Sequence, residues 1–173
     1  MVLGARSPEF EALLQRRQRL GLDGFDELWG GDYHVAPAPH PWHGYLDDEL
    51  AAALRPLASR AALIGTGPFN LGDAADYRVP DRGLHRVLPS STFVATAPLV
   101  AEILSPDDET WQKLPFYAEH SVGELLIVDP AARTLSWLVL REGTYVEESW
   151  SDLLAVTAEV VARAIRWPAD SSA

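Results

Sequence analysis

The sequence contains no cysteine and only one lysine among its 173 residues. The absence of cysteine excludes disulfides and thiolate zinc sites, and it fits a reducing cytosol, so we expect a cytoplasmic protein. No apolar run approaches the length of a membrane span, so we expect no membrane association. Residues 1–9 lack a basic region followed by an apolar core, so we also expect no secretory signal.

Cationic side chains are scarce as well. There are 14 Lys and Arg residues against 25 Asp and Glu residues, which gives a formal net charge of −11. A protein that binds duplex DNA non-specifically usually presents clustered Lys and Arg to the phosphates. A role in nucleic-acid binding therefore requires a local basic patch, a metal-filled site or a partner.

The length predicts one domain, and the hydrophobic pattern predicts a mixed sheet flanked by helices, an α/β or α+β fold. Helical spacing of apolar residues predicts helices over 8–20, 42–60, 110–120 and a last one after Thr157. A hairpin is predicted over 27–36, with a turn at Gly30 and Gly31. Strands or strand-like pieces are predicted at 62–65, 69–71, 77–81, 99–104, 124–129, 134–140 and 143–147.

The segment 99–117 combines a predicted buried strand with a predicted helix. Glu102 stands inside the apolar run 99–104, and a fully buried strand does not normally carry an unpaired charge. Asp107, Asp108 and Glu109 supply acidic residues suited to a helix N-terminus. The helix would bring Lys113, the single lysine, and Tyr117 near the end of the strand. Pro115 either lies in the first turn of a helix that starts near Leu114 or kinks the helix.

Asp81 and Glu102 follow one another in successive strand-like segments. If these segments pair in one sheet, the two carboxylates converge at one end, and with a backbone carbonyl and waters they would suit Mg²⁺ or Mn²⁺. Such a cation would polarise a phosphoryl oxygen, and Lys113 would orient water or neutralise charge in the transition state. The alternative is that Asp81 ends a turn and Glu102 forms a buried ion pair with Lys113, without a metal.

Other types of site find little support. The five histidines show no zinc-binding spacing. Only His43, which follows the proline-rich turn at the start of a helix, is a candidate site residue. There is no G-x-S-x-G motif, and residues 65–67 lack the lysine and the length of a phosphate-binding loop.

Four ordered segments resemble the Uma-type family of restriction endonucleases within the PD-(D/E)XK nuclease superfamily. They are VPD at 79–81, LVAEILSP at 99–106, KLPFYA at 113–118 and VGELLIVDP at 122–130. Residues 30–39, GGDYHVAPAP, and the following His43 are similar to the opening hairpin and helix entry of the family. The resemblance extends from about residue 25 to residue 147.

The resemblance implies a restriction-endonuclease-like domain over 1–173, with a helical extension at 1–24, a nuclease-like core at 25–147 and a C-terminal strand and helix at 148–173. It also implies a Mg²⁺ or Mn²⁺ site formed by Asp81, Glu102 and the carbonyl of Ile103. The superfamily lysine stands two residues after the glutamate, where this chain has Leu104, and in this family it is taken to have moved to the next helix, at Lys113. Asp32 occupies the place of a family glutamate, and the accessory candidates are Asp32, His43 and Tyr117.

Three functions follow as hypotheses. The first is a metal-dependent endonuclease that hydrolyses DNA phosphodiester bonds as a homodimer, because cutting a duplex needs two sites. The second is a nuclease-fold protein that does not cut and acts as a binding or regulatory module. The third is a hydrolase of a small phosphorylated substrate, for which an acidic surface is a smaller obstacle.

Overall fold

The computed structural model describes residues 2–3, 8–36, 40–105 and 109–168. In this part of the chain there are four helices, α1 (Pro8–Arg19), α2 (Pro41–Arg60), α3 (Thr110–Glu119) and α4 (Ala158–Ala164). The strands are β1 (Val2–Leu3), β2 (Glu27–Trp29), β3 (Asp32–His34), β4 (Ile64–Thr66), β5 (Asn70–Gly72), β6 (Tyr77–Arg78), β7 (Arg82–His85), β8 (Phe93–Val94), β9 (Leu99–Ile103), β10 (Glu124–Asp129), β11 (Thr134–Arg141), β12 (Thr144–Glu148), β13 (Trp150–Ser151) and β14 (Val156–Thr157). None of the described helices is both long enough and apolar enough to cross a membrane.

A mixed six-stranded sheet forms the centre of the fold, in the order β12-β11-β10-β9-β7-β4. Strands β9 and β10 are parallel, and the other pairs in this sheet are antiparallel. The predicted α/β class is therefore confirmed. A second six-stranded sheet, β1-β3-β2-β6-β5-β8, and the pair β13-β14 complete the strands.

The central sheet has a buried layer on each face. Side chains of β9 alternate between the faces, as in any strand. Leu99, Ala101 and Ile103 pack in the cluster that includes α2 and α4. Val100 packs in the other cluster with Phe116 and Tyr117 of α3. The same alternation directs Glu102 to the α3 side of the sheet. The neighbouring buried side chains there are apolar, so a carboxylate is unexpected at this position.

Most of the predicted elements are confirmed, with some differences. Helix α2 extends to Arg60 as predicted, with Pro56 inside it and exposed. Helix α3 starts at Thr110, so Pro115 lies inside it and a start near Leu114 is wrong. The predicted strand 77–81 is shorter, since β6 ends at Arg78 and the chain bends at Asp81 before β7. Strands β1, β7 and β8 were not predicted, nor was the pairing of β13 with β14. Asp107 and Asp108 lie outside the described residues, as does the tail beyond residue 168.

The bend at Asp81 transfers the chain from one sheet to the other. Strand β6 belongs to the second sheet, whereas β7 pairs with β9 in the central sheet, with Arg82 opposite Ala101. Pro80 fits such a transfer because proline has no N–H to contribute to a strand ladder. Continuing the antiparallel register by one residue brings Asp81 opposite Glu102.

Candidate active site

Glu102 lies in the middle of the central sheet and is almost fully buried, with 3% of its surface exposed. Its Oε1 atom accepts hydrogen bonds from the Lys113 ammonium, at 3.2 Å, and from the Tyr117 hydroxyl. Lys113 and Tyr117 are four residues apart on α3, so both project from the same face of that helix. The predicted approach of Lys113 and Tyr117 to the strand is thus observed.

Asp81 contacts the same strand one residue further on. Its Oδ2 atom accepts a hydrogen bond from the backbone N–H of Ile103 at 2.7 Å. Its Oδ1 atom lies 3.2 Å from Nε2 of His43, in the first turn of α2. The predicted pairing of segments 77–81 and 99–104 is wrong, because β6 belongs to the second sheet. Asp81 nevertheless lies beside β9, at the bend before β7, and His43 contacts it there.

Helix α2 is fixed to this corner of the sheet by two successive contacts. His43 and Asp47 share one helix face, and they contact Asp81 and Arg82 respectively. The Arg82 Nη2 atom donates to Asp47 Oδ2 at 3.0 Å, and its Nε atom donates to the Asp47 carbonyl at 3.1 Å. This pairing fixes α2 one turn along from His43, which places the His43 ring beside Asp81.

Glu27 also belongs to the cluster, although it was not predicted as a site residue. It begins β2 in the second sheet and is 6% exposed, and its Oε1 atom lies 3.0 Å from the Lys113 ammonium. A buried carboxylate in a strand was the signal that identified Glu102. In Glu27 that signal was hidden, because a three-residue hairpin strand gives no prediction of burial.

Asp32, the accessory candidate from the same hairpin, lies elsewhere. It is exposed at the turn, opposite Trp29 in the register of β2 and β3. Within the described residues, the contacts of Lys113, Glu102 and Asp81 do not include Asp32. The hairpin instead approaches α3 through Glu27, and also through His34, whose Nδ1 lies 2.9 Å from Oε2 of Glu109.

The cluster carries more negative than positive charge. Glu27 and Glu102 contact the ammonium of Lys113, and Asp81 lies beside Ile103. The three carboxylates and one ammonium leave two negative charges unbalanced when all four groups are ionised and His43 is neutral. Burial raises the pKa of Glu102 to about 8, against the opposing charge of Lys113. The hydrogen bond to Asp81 raises the pKa of His43, although burial opposes the shift. Both shifts reduce the net negative charge.

Within the described residues, no group of three or more His, Asp and Glu side chains is arranged to hold a metal ion by side chains alone. Asp81 and Glu102 supply two carboxylates, and Mg²⁺ commonly uses one or two carboxylates together with waters. The ion pair between Lys113 and Glu102 that the alternative interpretation required is also present. The two interpretations therefore share the same contacts and differ in whether a cation binds.

The family comparison matches this architecture. The family model Uma2, described as "Putative restriction endonuclease", matches residues 8–165. The chain belongs to the Uma2 family. The predicted resemblance is confirmed, and the matched region contains Glu27, Asp81, Glu102 and Lys113.

A solved structure has the same fold as this Uma2 protein. It is the crystal structure of a putative nuclease belonging to DUF820 from Anabaena variabilis ATCC 29413, with a TM-score of 0.63 and 14% sequence identity. The alignment covers 80% of this chain and 90% of that chain. No curated protein matches this sequence.

The pKa of Glu102 leads to a prediction about stability. Its folded value of about 8 lies above the ordinary 4.5, so the folded protein retains a proton that the unfolded chain releases between these pH values. We expect the free energy of unfolding of the metal-free protein to fall as the pH rises from about 5 to about 8. Urea unfolding at several pH values measures this slope.

Glu102→Gln should make that slope smaller, because the amide does not titrate. Glu124→Gln provides the control, since Glu124 is a buried carboxylate of the neighbouring strand that contacts Ser151 and Leu153 instead of Lys113. Equal slopes for the parent protein and Glu102→Gln would contradict the assignment.

Proposed function

We propose that this Uma2 protein is a divalent-metal-dependent endonuclease that hydrolyses phosphodiester bonds in DNA. The observation that carries the proposal is the position of Asp81 beside β9, where it accepts from the Ile103 N–H next to Glu102, with the ammonium of Lys113 in contact with Glu102. Membership of a family described as putative restriction endonucleases supports the same activity.

The donor set suits Mg²⁺ or Mn²⁺, and the unbalanced negative charge provides a reason for a cation to bind there. Asp81 and Glu102 would hold it together with the carbonyl of Ile103. The Ile103 N–H donates to Asp81. In a strand the N–H and C=O of one residue point to the same side, so the Ile103 carbonyl faces Asp81 as well. The extended register brings Pro80 opposite Ile103, and proline has no N–H to donate to that carbonyl.

When bound, the cation would supply charge stabilisation for a phosphoryl group and activate water near neutral pH. Lys113 contributes an ammonium that neutralises charge on the reacting phosphate or orients the attacking water. Although burial opposes it, the carboxylates of Glu102 and Glu27 raise the pKa of Lys113, so the side chain acts as a cation and donor at neutral pH. Tyr117 and His43 orient the two carboxylates by their hydrogen bonds.

A homodimer is part of the proposal, because cutting both strands of a duplex requires two sites and two-fold symmetry is the commonest way to provide them. The net charge of −11 means that DNA contacts depend on local cationic side chains and on the bound metal.

Conversion of supercoiled plasmid to nicked and linear forms tests the proposal. We expect conversion with Mg²⁺ or Mn²⁺, none with EDTA, and none with Asp81→Asn at equal protein concentration. Glu124→Gln is the matched variant that should keep the activity. Absence of conversion by the parent protein with either metal would count against the endonuclease.

The acidic surface favours a second candidate, the hydrolysis of a small phosphorylated substrate. A small phosphodiester such as bis(p-nitrophenyl) phosphate discriminates between the two. Cleavage of this ester without any cleavage of plasmid, at low and at moderate salt, would favour the small substrate.

A further inference from the structure

Glu27 is held by donors from three directions. Its Oε1 atom accepts from the backbone N–H of Val79 at 2.7 Å and lies 3.0 Å from the Lys113 ammonium. Its Oε2 atom accepts from the indole N–H of Trp29 at 2.7 Å. A carboxylate with three such partners has little freedom to rotate, so Glu27 provides a fixed counter-charge for Lys113.

Trp29, which donates to Glu27, is itself enclosed by ring contacts. The His34 ring stacks on it with a centroid distance of 4.1 Å, and the Arg78 guanidinium lies 4.4 Å from its ring centroid. Arg78 is 6% exposed and also lies 3.9 Å from the ring centroid of Phe116. We call His34, Trp29, Arg78, Phe116 and His120 the stacked column.

The stacked column joins the second sheet to α3. His34 and Trp29 come from the β2-β3 hairpin and Arg78 from β6, whereas Phe116 belongs to α3 and stacks on the His120 ring at 4.0 Å. Cation–π and ring contacts of this kind are attractive and hold the rings and the guanidinium at defined distances. The column therefore fixes the distance between β2, which carries Glu27, and α3, which carries Lys113.

Lys113 needs this support because lysine has a flexible four-carbon stem. Its other anionic partner is Glu102, one of the two carboxylates proposed to hold the cation. A cation bound to Glu102 would compete with Lys113 for the charge of that carboxylate. Glu27, on a different strand and in a different sheet, is independent of that competition.

We propose that Glu27 is the positioning residue of Lys113. Glu27 keeps the ammonium in contact with Glu102 while Asp81 and Glu102 hold the cation. The inference rests on the proposed function for its catalytic consequence, but the positioning itself is a property of the metal-free protein as well. Trp29 acts one step further out, because its indole N–H orients Glu27.

The single lysine makes a direct test possible. Lysine labelled with ¹⁵N and ¹³C gives one side-chain ammonium resonance, that of Lys113, and its relaxation reports the order of the group. We expect an ordered ammonium in the parent protein with and without Mg²⁺, and clearly faster motion in Glu27→Gln. Trp29→Phe, which keeps a ring in the stacked column but removes the donor, should give an intermediate result.

Kinetics supply the second readout. Glu27→Gln should lower kcat for plasmid nicking by about 10–100-fold, the range typical of residues that orient the working groups of a metal site, with KM and Mg²⁺ affinity within about twofold of the parent. Glu124→Gln should match the parent in both readouts. If Glu27→Gln does not fold, Trp29→Phe decides the question with the same two measurements.

An unchanged order of the Lys113 ammonium in Glu27→Gln, or in Trp29→Phe if Glu27→Gln does not fold, would overturn the inference. A loss of Mg²⁺ affinity in proportion to the loss of activity would also overturn it, because Glu27 would then serve the cation. If the parent protein neither binds metal nor cuts DNA but its ammonium loses order in Glu27→Gln, the proposed function fails and the positioning contact stands.

Discussion

We expect Lys113→Met to lower the rate of plasmid nicking by about 10²–10³-fold, the effect of removing one charged donor from a preorganised site. Metal binding should remain, since Asp81 and Glu102 are unchanged. The rate should fall because Lys113 is the cation in contact with Glu102 and Glu27, at 3.2 and 3.0 Å. Nicking kinetics at saturating Mn²⁺ measure the loss.

The same substitution should destabilise the metal-free fold. Removing Lys113 leaves Glu27 and Glu102 buried without their ammonium, and breaking a buried ion pair from one side costs about 3–5 kcal/mol. We expect added Mn²⁺ to recover part of this loss, because the cation would neutralise Glu102. Nicking by Lys113→Met at the rate of the parent protein would contradict the assigned role.

We expect Glu102→Gln and Asp81→Asn to reduce nicking below detection, since each removes a carboxylate that the cation requires. Both variants should still fold. In Glu102→Gln the new amide oxygen would still accept the Tyr117 hydroxyl, and in Asp81→Asn it would still accept the Ile103 N–H. Nicking assays and urea unfolding of the two variants check both statements.

The stability effects of the two partners of one ion pair should therefore have opposite signs. Glu102→Gln removes one negative charge from a cluster with an excess of them, so the free energy of unfolding of the metal-free protein stays the same or rises at pH 8. Lys113→Met removes the ammonium and lowers it. If Glu102→Gln instead unfolds the protein, the ion pair is primarily structural and the interpretation without a metal gains support.

The core of the fold and the central part of the site were predictable from local sequence. The run 99–104 is apolar except for Glu102, so both the buried strand and the anomaly within it are visible without coordinates. Lys113 and Tyr117 lie four residues apart in a predicted helix, which is enough to place them on one face. These predictions depend on residues close together in the chain.

The second sheet could not be predicted in the same way. Its strands have two or three residues and no usable periodicity, and β2 joins it by pairing Leu28 with Tyr77, far along the chain. Glu27 reaches Lys113 only through that pairing. The bend at Asp81, which separates the two sheets, likewise depends on long-range partners of β6 and β7 and not on any local pattern.

Isothermal titration of Mn²⁺ and Mg²⁺ into the purified protein and into Glu102→Gln tests the central claim most directly, namely that Asp81 and Glu102 form a cation site. We predict saturable binding to the parent protein, with no binding to the variant although it is folded. Binding that is equal in both proteins, or absent from both, would contradict the claim and leave the Glu102–Lys113 pair as a structural contact.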